Sequence, residues 1–326
     1  MTWINHFRSR PSGVLRRRSM DYEGQICRAP MERSSFMLPV MVGCSYNVCR
    51  FCGLFKHLKY REIPFEQVEE ECKRVSSMGG DPKRIFLGDG NAFTFDTEYL
   101  LKLIRMVKGY FPGAQMFNMD ATVQSILQKT DEELKLLYDE GVRHLYLGIE
   151  SGLDDVLCFM EKDHDLAEAR RAIAKLHSAG LIFDAHIMTG IAGKGRGEEN
   201  ALALADFFNE TRPAHVVNFS LFLHNNVPLY DDILNGRFVP ASELDNLKED
   251  HTLISHMEAD EAHPIKYDGF HDYIEYRVRG TLPRDKDKML RSLEKAISKE
   301  EGRAEDLYSF VGGGVGQSEL SDTSKK

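Results

Sequence analysis

The sequence predicts an α/β fold: a parallel (β/α)6 partial TIM barrel with a C-terminal α/loop extension. Three observations carry this expectation. Short apolar runs alternate with amphipathic stretches six times between residues 36 and 222. Alternation of that kind builds a parallel sheet through right-handed crossovers, and by itself six units suit an open doubly wound sheet as well as an incomplete barrel. Several of the apolar runs end in glycine-rich turns, and three cysteines (Cys44, Cys49 and Cys52) follow the first run. In a parallel α/β sheet ligands gather at the carboxyl ends of the strands, so these turns and cysteines mark one active face.

The elements follow in order. Phe36 to Val42 reads as the first strand, and Pro39 within it has no N–H for a ladder, which makes it an edge strand. Pro64 opens a helix from Phe65 to Ser77, and Gly79-Gly80 closes it. Arg84 to Leu87 is the second strand and runs into Gly88-Asp89-Gly90-Asn91. A helix from Thr97 to Lys108 is stopped by Gly109, and Gln115 to Met119 is the third strand. Thr130-Asp131-Glu132-Glu133 is a capping box for the next helix, which ends at Gly141. Arg143 to Ile149 is the fourth strand and ends in Gly148-Ile149-Glu150-Ser151-Gly152. A helix from Asp165 stops at Gly180, and Leu181 to Met188 is the fifth strand, before Gly190-Ile191-Ala192-Gly193. Glu198 to Asn209 is helical, and His215 to Leu221 is the sixth strand.

Four segments result. Residues 1–20 form a flexible basic leader, 21–222 the barrel, 223–310 an extension covering its open side, and 311–326 a disordered tail rich in Gly, Ser and charge. No seventh strand–helix unit is read in the extension. Its Arg277 and Arg279 would offer basic groups to an acidic substrate.

Composition excludes several function classes. With 42% hydrophobic and 29% charged residues the chain is an ordinary globular protein. No run approaches the ~20 apolar residues of a spanning helix. A net charge of −9 argues against a broad basic face for nucleic acid. No apolar stretch follows the arginines at 8–18, so a secretory signal is not expected and the chain is placed in the cytoplasm. There, cysteines read as metal or redox ligands rather than disulfides.

Cys44, Cys49 and Cys52 form a C-x4-C-x2-C pattern among Gly, Ser and Asn, which favour a loop. A structural zinc site wants four ligands, usually two C-x2-C pairs, and the loop has one. A [2Fe–2S] site needs a fourth cysteine. Cys72 is the candidate, but it shares an apolar helix face with Val68 and Val75. A [4Fe–4S] cluster held by three thiolates leaves one iron open to a cofactor. Spacing alone leaves these readings open. Asn118, Asp120 and His186 lie at or near strand ends, where a satisfied structural polar group is the simpler role.

Together these motifs resemble the radical S-adenosylmethionine (SAM) superfamily over roughly residues 36–222. Phe51-Cys52 is similar to the end of the family's cluster loop. Gly88-Asp89-Gly90 stands where the family holds the methionine amino group. Gly148 to Gly152 resembles the fourth-strand motif of the branch containing coproporphyrinogen oxidases and tRNA methylthiotransferases. Ile187 to Gly193 resembles the motif that packs the adenine. The loop departs from the family's commonest C-x3-C-x2-C by one residue, and Gly53-Leu54 stands where the oxidases place x-Cys.

The resemblance implies a [4Fe–4S] cluster on Cys44, Cys49 and Cys52. It implies SAM against Phe51, Gly88, Asp89, Gly90, Glu150, Ser151, Lys162, Gly190 and Ile191. Glycine at 90 would leave room for the methionine moiety, and Lys162 would pair with its carboxylate. The implied reaction is reductive cleavage of SAM to a 5′-deoxyadenosyl radical, in an oxygen-sensitive enzyme served by an external electron donor such as flavodoxin or ferredoxin. The expected substrate is a small molecule, with no membrane and no nucleic acid. Alternatives are a porphyrin-directed oxidase or methyltransferase of the same superfamily, or a non-catalytic Fe–S or zinc module.

Overall fold

The computed structural model describes residues 27–304 and 306–311. The expected leader at 1–20 and the tail from 312 onward lie outside the described residues.

Eight strands form one sheet in chain order: β1 Phe36–Pro39, β2 Arg84–Gly88, β3 Met116–Ala121, β4 Val142–Glu150, β5 Ile182–Thr189, β6 His215–Ser220, β7 Ile265–His271 and β8 Tyr276–Leu282. Neighbours from β1 to β7 run parallel, and β8 is antiparallel to β7. β1 is an edge, with Pro39 opposite Gly88, as its proline requires. The longer helices are α1 Phe65–Ser77, α2 Thr97–Tyr110, α3 Asp131–Asp139, α4 Leu166–Ala179, α5 Gly197–Thr211, α6 Glu243–His256 and α7 Lys286–Glu301. The capping box at Thr130 and Glu133 forms as expected, and Asp165 with Glu168 makes another for α4. α2 runs through Gly109 to Tyr110 rather than stopping there. Nothing lies within 4 Å of where a Gly109 side chain would begin, so that glycine costs the helix only its propensity.

Side chains alternate across the strands. On β4, Leu145, Leu147 and Ile149 join the large core beneath the helices. Tyr146 belongs instead to a separate cluster with Phe86 and Ala29 on the other face. That second face is the barrel interior.

The six expected strand–helix units are present, but the extension is not helix and loop alone. Through α6 it returns as β7, parallel to β6, and then turns back as β8. The polar Asp268 and His271, with Gly269 between them, conceal β7 in the sequence. Each polar group is satisfied inside the protein: Asp268 by His215 (2.9 Å) and His271 by Asp250 (3.1 Å).

Candidate active site

The cysteine loop is built as a clipped turn. Met41–Val42 pairs antiparallel with Arg61–Glu62, so the chain leaves and returns at one place. Inside the clip, Asn47 Nδ2 donates to the Phe55 carbonyl (3.0 Å) and Lys56 Nζ to the Asn47 carbonyl (2.7 Å). Arg50 anchors the loop outward. Its guanidinium meets the buried Asp232 at 2.6 Å and Glu161 at 3.0 Å. Its backbone N–H donates to the Met160 carbonyl, and its carbonyl accepts from Leu229.

Phe51 and Ile191, 4% and 1% exposed, lie in one apolar cluster with Met160 and Leu221, and Cys49 and Cys52 pack against it. The structure thus brings these four residues together. Burial pushes all three loop thiols up, Cys52 to about 11, while the nearby Lys162 cation pulls each the other way. Cys49 also senses Cys44, and Cys52 senses both, so the three share one electrostatic neighbourhood. Among the described residues no three His, Cys, Asp or Glu side chains converge closely enough for one metal ion. Three thiols that each take a different iron of a cluster need no such convergence.

The turn after β2 cradles this loop. A side chain on Gly90 would begin 2.6 Å from Cys44 Cα and 2.8 Å from its Cβ, and the residue has φ +41°. Glycine is required there by the approach of the cysteine loop. The space expected for a methionine moiety beside Gly90 is thus occupied by Cys44. Asn91 ties the turn to Ser45 (3.1 Å) and to the Thr122 N–H (3.1 Å). Asp89 is fully buried and accepts from the Cys27 N–H at 3.2 Å, and Gly88 packs against Met37.

At the end of β4, Glu150 and Lys162 form an ion pair at 3.2 Å, with side chains only 10% and 9% exposed. The pair lies over Gly148, where an added side chain would meet Lys162 Nζ at 3.1 Å. Burial alone would lower the Lys162 pKa, but Glu150, Cys49 and Asp163 outweigh it and raise it, so Lys162 is a cation. Its Nζ is 5.9 Å from the centre of the Phe51 ring.

Ser151 and Gly190 are placed differently from these. The Ser151 hydroxyl donates to Asn200 (2.6 Å), Asn200 donates to Glu249 (2.7 Å), and Glu249 accepts the Gly190 N–H (2.7 Å). A side chain on Gly190 would meet Asn246 at 2.5 Å. Both residues are therefore bound to α5 and α6.

Sequence reasoning missed the segment before β1. It forms a short turn, Pro30–Glu32, and puts Glu32 inside the barrel, 1% exposed. The Glu32 carboxylate accepts from Asn118 Nδ2 (2.7 Å), from the Tyr146 hydroxyl and from Ser35. An isolated glutamate ahead of an apolar run reads as a solvated residue, so only Pro30 hinted at order. Asn118 is the satisfied structural group the sequence suggested. Asp120 is held well above the usual carboxylate range by burial and by Asp89 and Glu32. His186 stacks on Tyr146, 5.7 Å between ring centres, and burial lowers its pKa to about 4. Its Nε2 is buried without a hydrogen-bond partner among the described residues. Arg277 and Arg279, expected to grip an anion, both turn to Asp268, the latter at 3.3 Å.

Residues 38–208 match the model of the Radical SAM superfamily. The chain belongs to that superfamily. A tRNA-2-methylthio-N(6)-dimethylallyladenosine synthase from Anaeromyxobacter sp. is 26% identical over 66% of this chain and 48% of its own. The heme chaperone HemW of Bacillus subtilis is 21% identical over 69% of this chain and 60% of its own. The chain thus spans about half to three fifths of these relatives. The coproporphyrinogen III oxidase HemN of Escherichia coli, a radical SAM enzyme, superposes with a TM-score of 0.56 at 16% identity, over 68% of this chain and 52% of that one. That likeness is one of fold. Membership of this superfamily implies a [4Fe–4S] cluster and SAM.

Proposed function

We propose that this enzyme binds a [4Fe–4S] cluster on Cys44, Cys49 and Cys52 and uses SAM to act on a small polar molecule inside the barrel. The observation that carries the reading is the convergence of the cysteine loop, the Gly88–Asn91 turn and the Glu150–Lys162 pair at one end of the strands. Bound there, the two cofactors supply one-electron cleavage of the sulfonium and a 5′-deoxyadenosyl radical. The residues of the chain bind, orient and exclude water. Phe51 and Ile191 provide an apolar wall. Lys162 holds its proton and offsets the charge of thiolates or of a SAM carboxylate. Glu150, fixed by Lys162, offers a carboxylate to an amino or hydroxyl group. Gly88, Asp89, Gly90, Ser151 and Gly190 act in this reading by shaping the walls, Gly90 by seating the cysteine loop. Asp120 and His186 face the interior beyond them and suit a substrate with hydrogen-bonding groups.

The relatives' names describe different substrates, so they support the shared chemistry and leave the substrate to experiment. No helix among the described residues is long and apolar enough to cross a membrane. We place the enzyme in the cytoplasm, where cysteines stay reduced.

Anaerobic reconstitution tests this. The protein should take up about four irons per chain and release 5′-deoxyadenosine when given SAM and dithionite, detected by mass spectrometry. Cys49→Ala should lose both. A full cluster in Cys49→Ala, or stoichiometric zinc in the native protein, would overturn the reading.

A further inference from the structure

The inner face of the barrel carries a carboxylate that no described residue satisfies. Met119 and Ala121 of β3 pack into the helix-side core, so Asn118 and Asp120 point the other way, into the barrel. Asn118 is engaged by Glu32 at 2.7 Å. Asp120 makes neither a hydrogen bond nor an ion pair among the described residues. A carboxylate drawn out of water without a partner is costly, and something outside the chain can complete it.

The surroundings of Asp120 fix the sign of that missing partner. The charges acting on it are those of Asp89 and Glu32, both acids, and with burial they hold its carboxyl well above the usual range. Glu32 is settled by three neutral donors, Asn118, Ser35 and the Tyr146 hydroxyl. The interior cations are matched elsewhere: Lys162 by Glu150, and Arg277 and Arg279 by Asp268 on β7. A positive charge placed beside Asp120 would relieve both its desolvation and the repulsion from its neighbours.

A second unsatisfied group faces the same space. Ala185 and Ile187 of β5 join the core, which turns His186 inward. Its ring stacks on Tyr146, and Tyr146 is the register partner of Asp120 on β4. The His186 Nε2 is wholly buried and has no hydrogen-bond partner among the described residues. Asp120 and His186 therefore flank Tyr146, each with an open valence. Cys44 of the cysteine loop senses the Asp120 charge, so the pair stands at the end of the barrel where the cluster would form.

We infer that Asp120 anchors a protonated amine of the substrate, with the His186 Nε2 supplying a second hydrogen bond. The inference deepens the proposed function and rests on it, because it assumes a substrate held inside the barrel beside SAM. SAM carries an ammonium group of its own, and the test separates the two.

The probe is n-butylammonium, compared with n-butanol and n-butyrate, which have similar shapes and no positive charge. Reconstituted protein is saturated with SAM, and probe affinity is read by saturation-transfer NMR, which needs no turnover. n-Butylammonium should bind with a Kd of about 1 mM, and the other two about tenfold or more weakly. Asp120→Asn should weaken n-butylammonium about tenfold or more. Asp120→Glu, which keeps the charge, should bind it better than Asp120→Asn. SAM affinity by calorimetry should stay within about twofold in both variants. n-Butylammonium bound no better than n-butanol, or equally by native and Asp120→Asn protein, would overturn the anchor. A loss of SAM affinity in Asp120→Asn would also overturn it, by giving the carboxylate to the SAM ammonium. If the probes behave as expected but no 5′-deoxyadenosine forms with SAM and dithionite, the amine site stands and the SAM reading fails instead.

Discussion

At the scale of single residues, Gly90 shows how a correct motif can serve for an unexpected reason. A glycine in a strand-end turn suggests an open space for a ligand. The structure fills that space with Cys44, whose Cα would lie 2.6 Å from a side chain on residue 90. The positive φ adds a second reason for glycine. Gly90→Val should therefore act on the cluster: iron content after reconstitution should fall with SAM affinity, while helix content by circular dichroism stays native. Full iron loading in Gly90→Val would restore the space to the ligand. That Phe51 and Ile191 are buried beside the cysteine loop was legible, because large apolar side chains leave water. Ser151 was not, because a serine hydroxyl suits a ligand or a buried amide equally, and here Asn200 claims it.

At the scale of elements, the segment at 27–35 and strand β7 were the parts hidden in the sequence. Both carry ionisable residues that a periodicity argument assigns to solvent. Both are held inside because their buried groups find partners from other elements: Glu32 from β3 and β4, His271 from α6. Pairings between distant residues leave no local pattern, whereas the six alternating strands and helices leave one at every step. Glu32 also makes the segment testable. Glu32→Ala leaves the Asn118 amide and the Tyr146 hydroxyl without their acceptor inside the barrel. The cost should be about 1–3 kcal/mol, read as a lower urea midpoint with an unchanged m-value. Glu32→Gln, which keeps an acceptor, should lose less. Equal midpoints for native protein and Glu32→Ala would mean that the segment contributes no stability.

For the whole molecule, buried ionisable groups set the direction in which stability depends on pH. His271 is fully buried between Asp250 (3.1 Å) and Glu243 (3.4 Å), which hold α6 to the end of β7. Burial alone would lower its pKa, but the two carboxylates win and raise it to about 9. Glu249, on the same helix, is raised by burial to about 8, although Asn200 and the Gly190 N–H pull it down. For both groups the folded state binds its proton more tightly than the unfolded state. The His271 contribution is complete below its ordinary value of about 6.5 and is lost as pH rises through about 9. The Glu249 contribution fades from about 4.5 to about 8, as the unfolded carboxylate ionises and the folded one resists. Glu243 and Asp268, lowered by their histidine and arginine partners, work in the opposite sense, and only at acid pH. The melting temperature should therefore be highest on the acid side of neutrality and fall steadily from about pH 6 to 9. Glu249→Gln should lose about 1 kcal/mol at pH 6, for one hydrogen bond, and flatten the lower half of that slope. His271→Leu strands two carboxylates and should lose about 3–5 kcal/mol near neutrality. Calorimetric scans across this range decide it. A native melting temperature that rises toward pH 9, or a slope untouched in Glu249→Gln, would show that these two groups do not govern the alkaline limb.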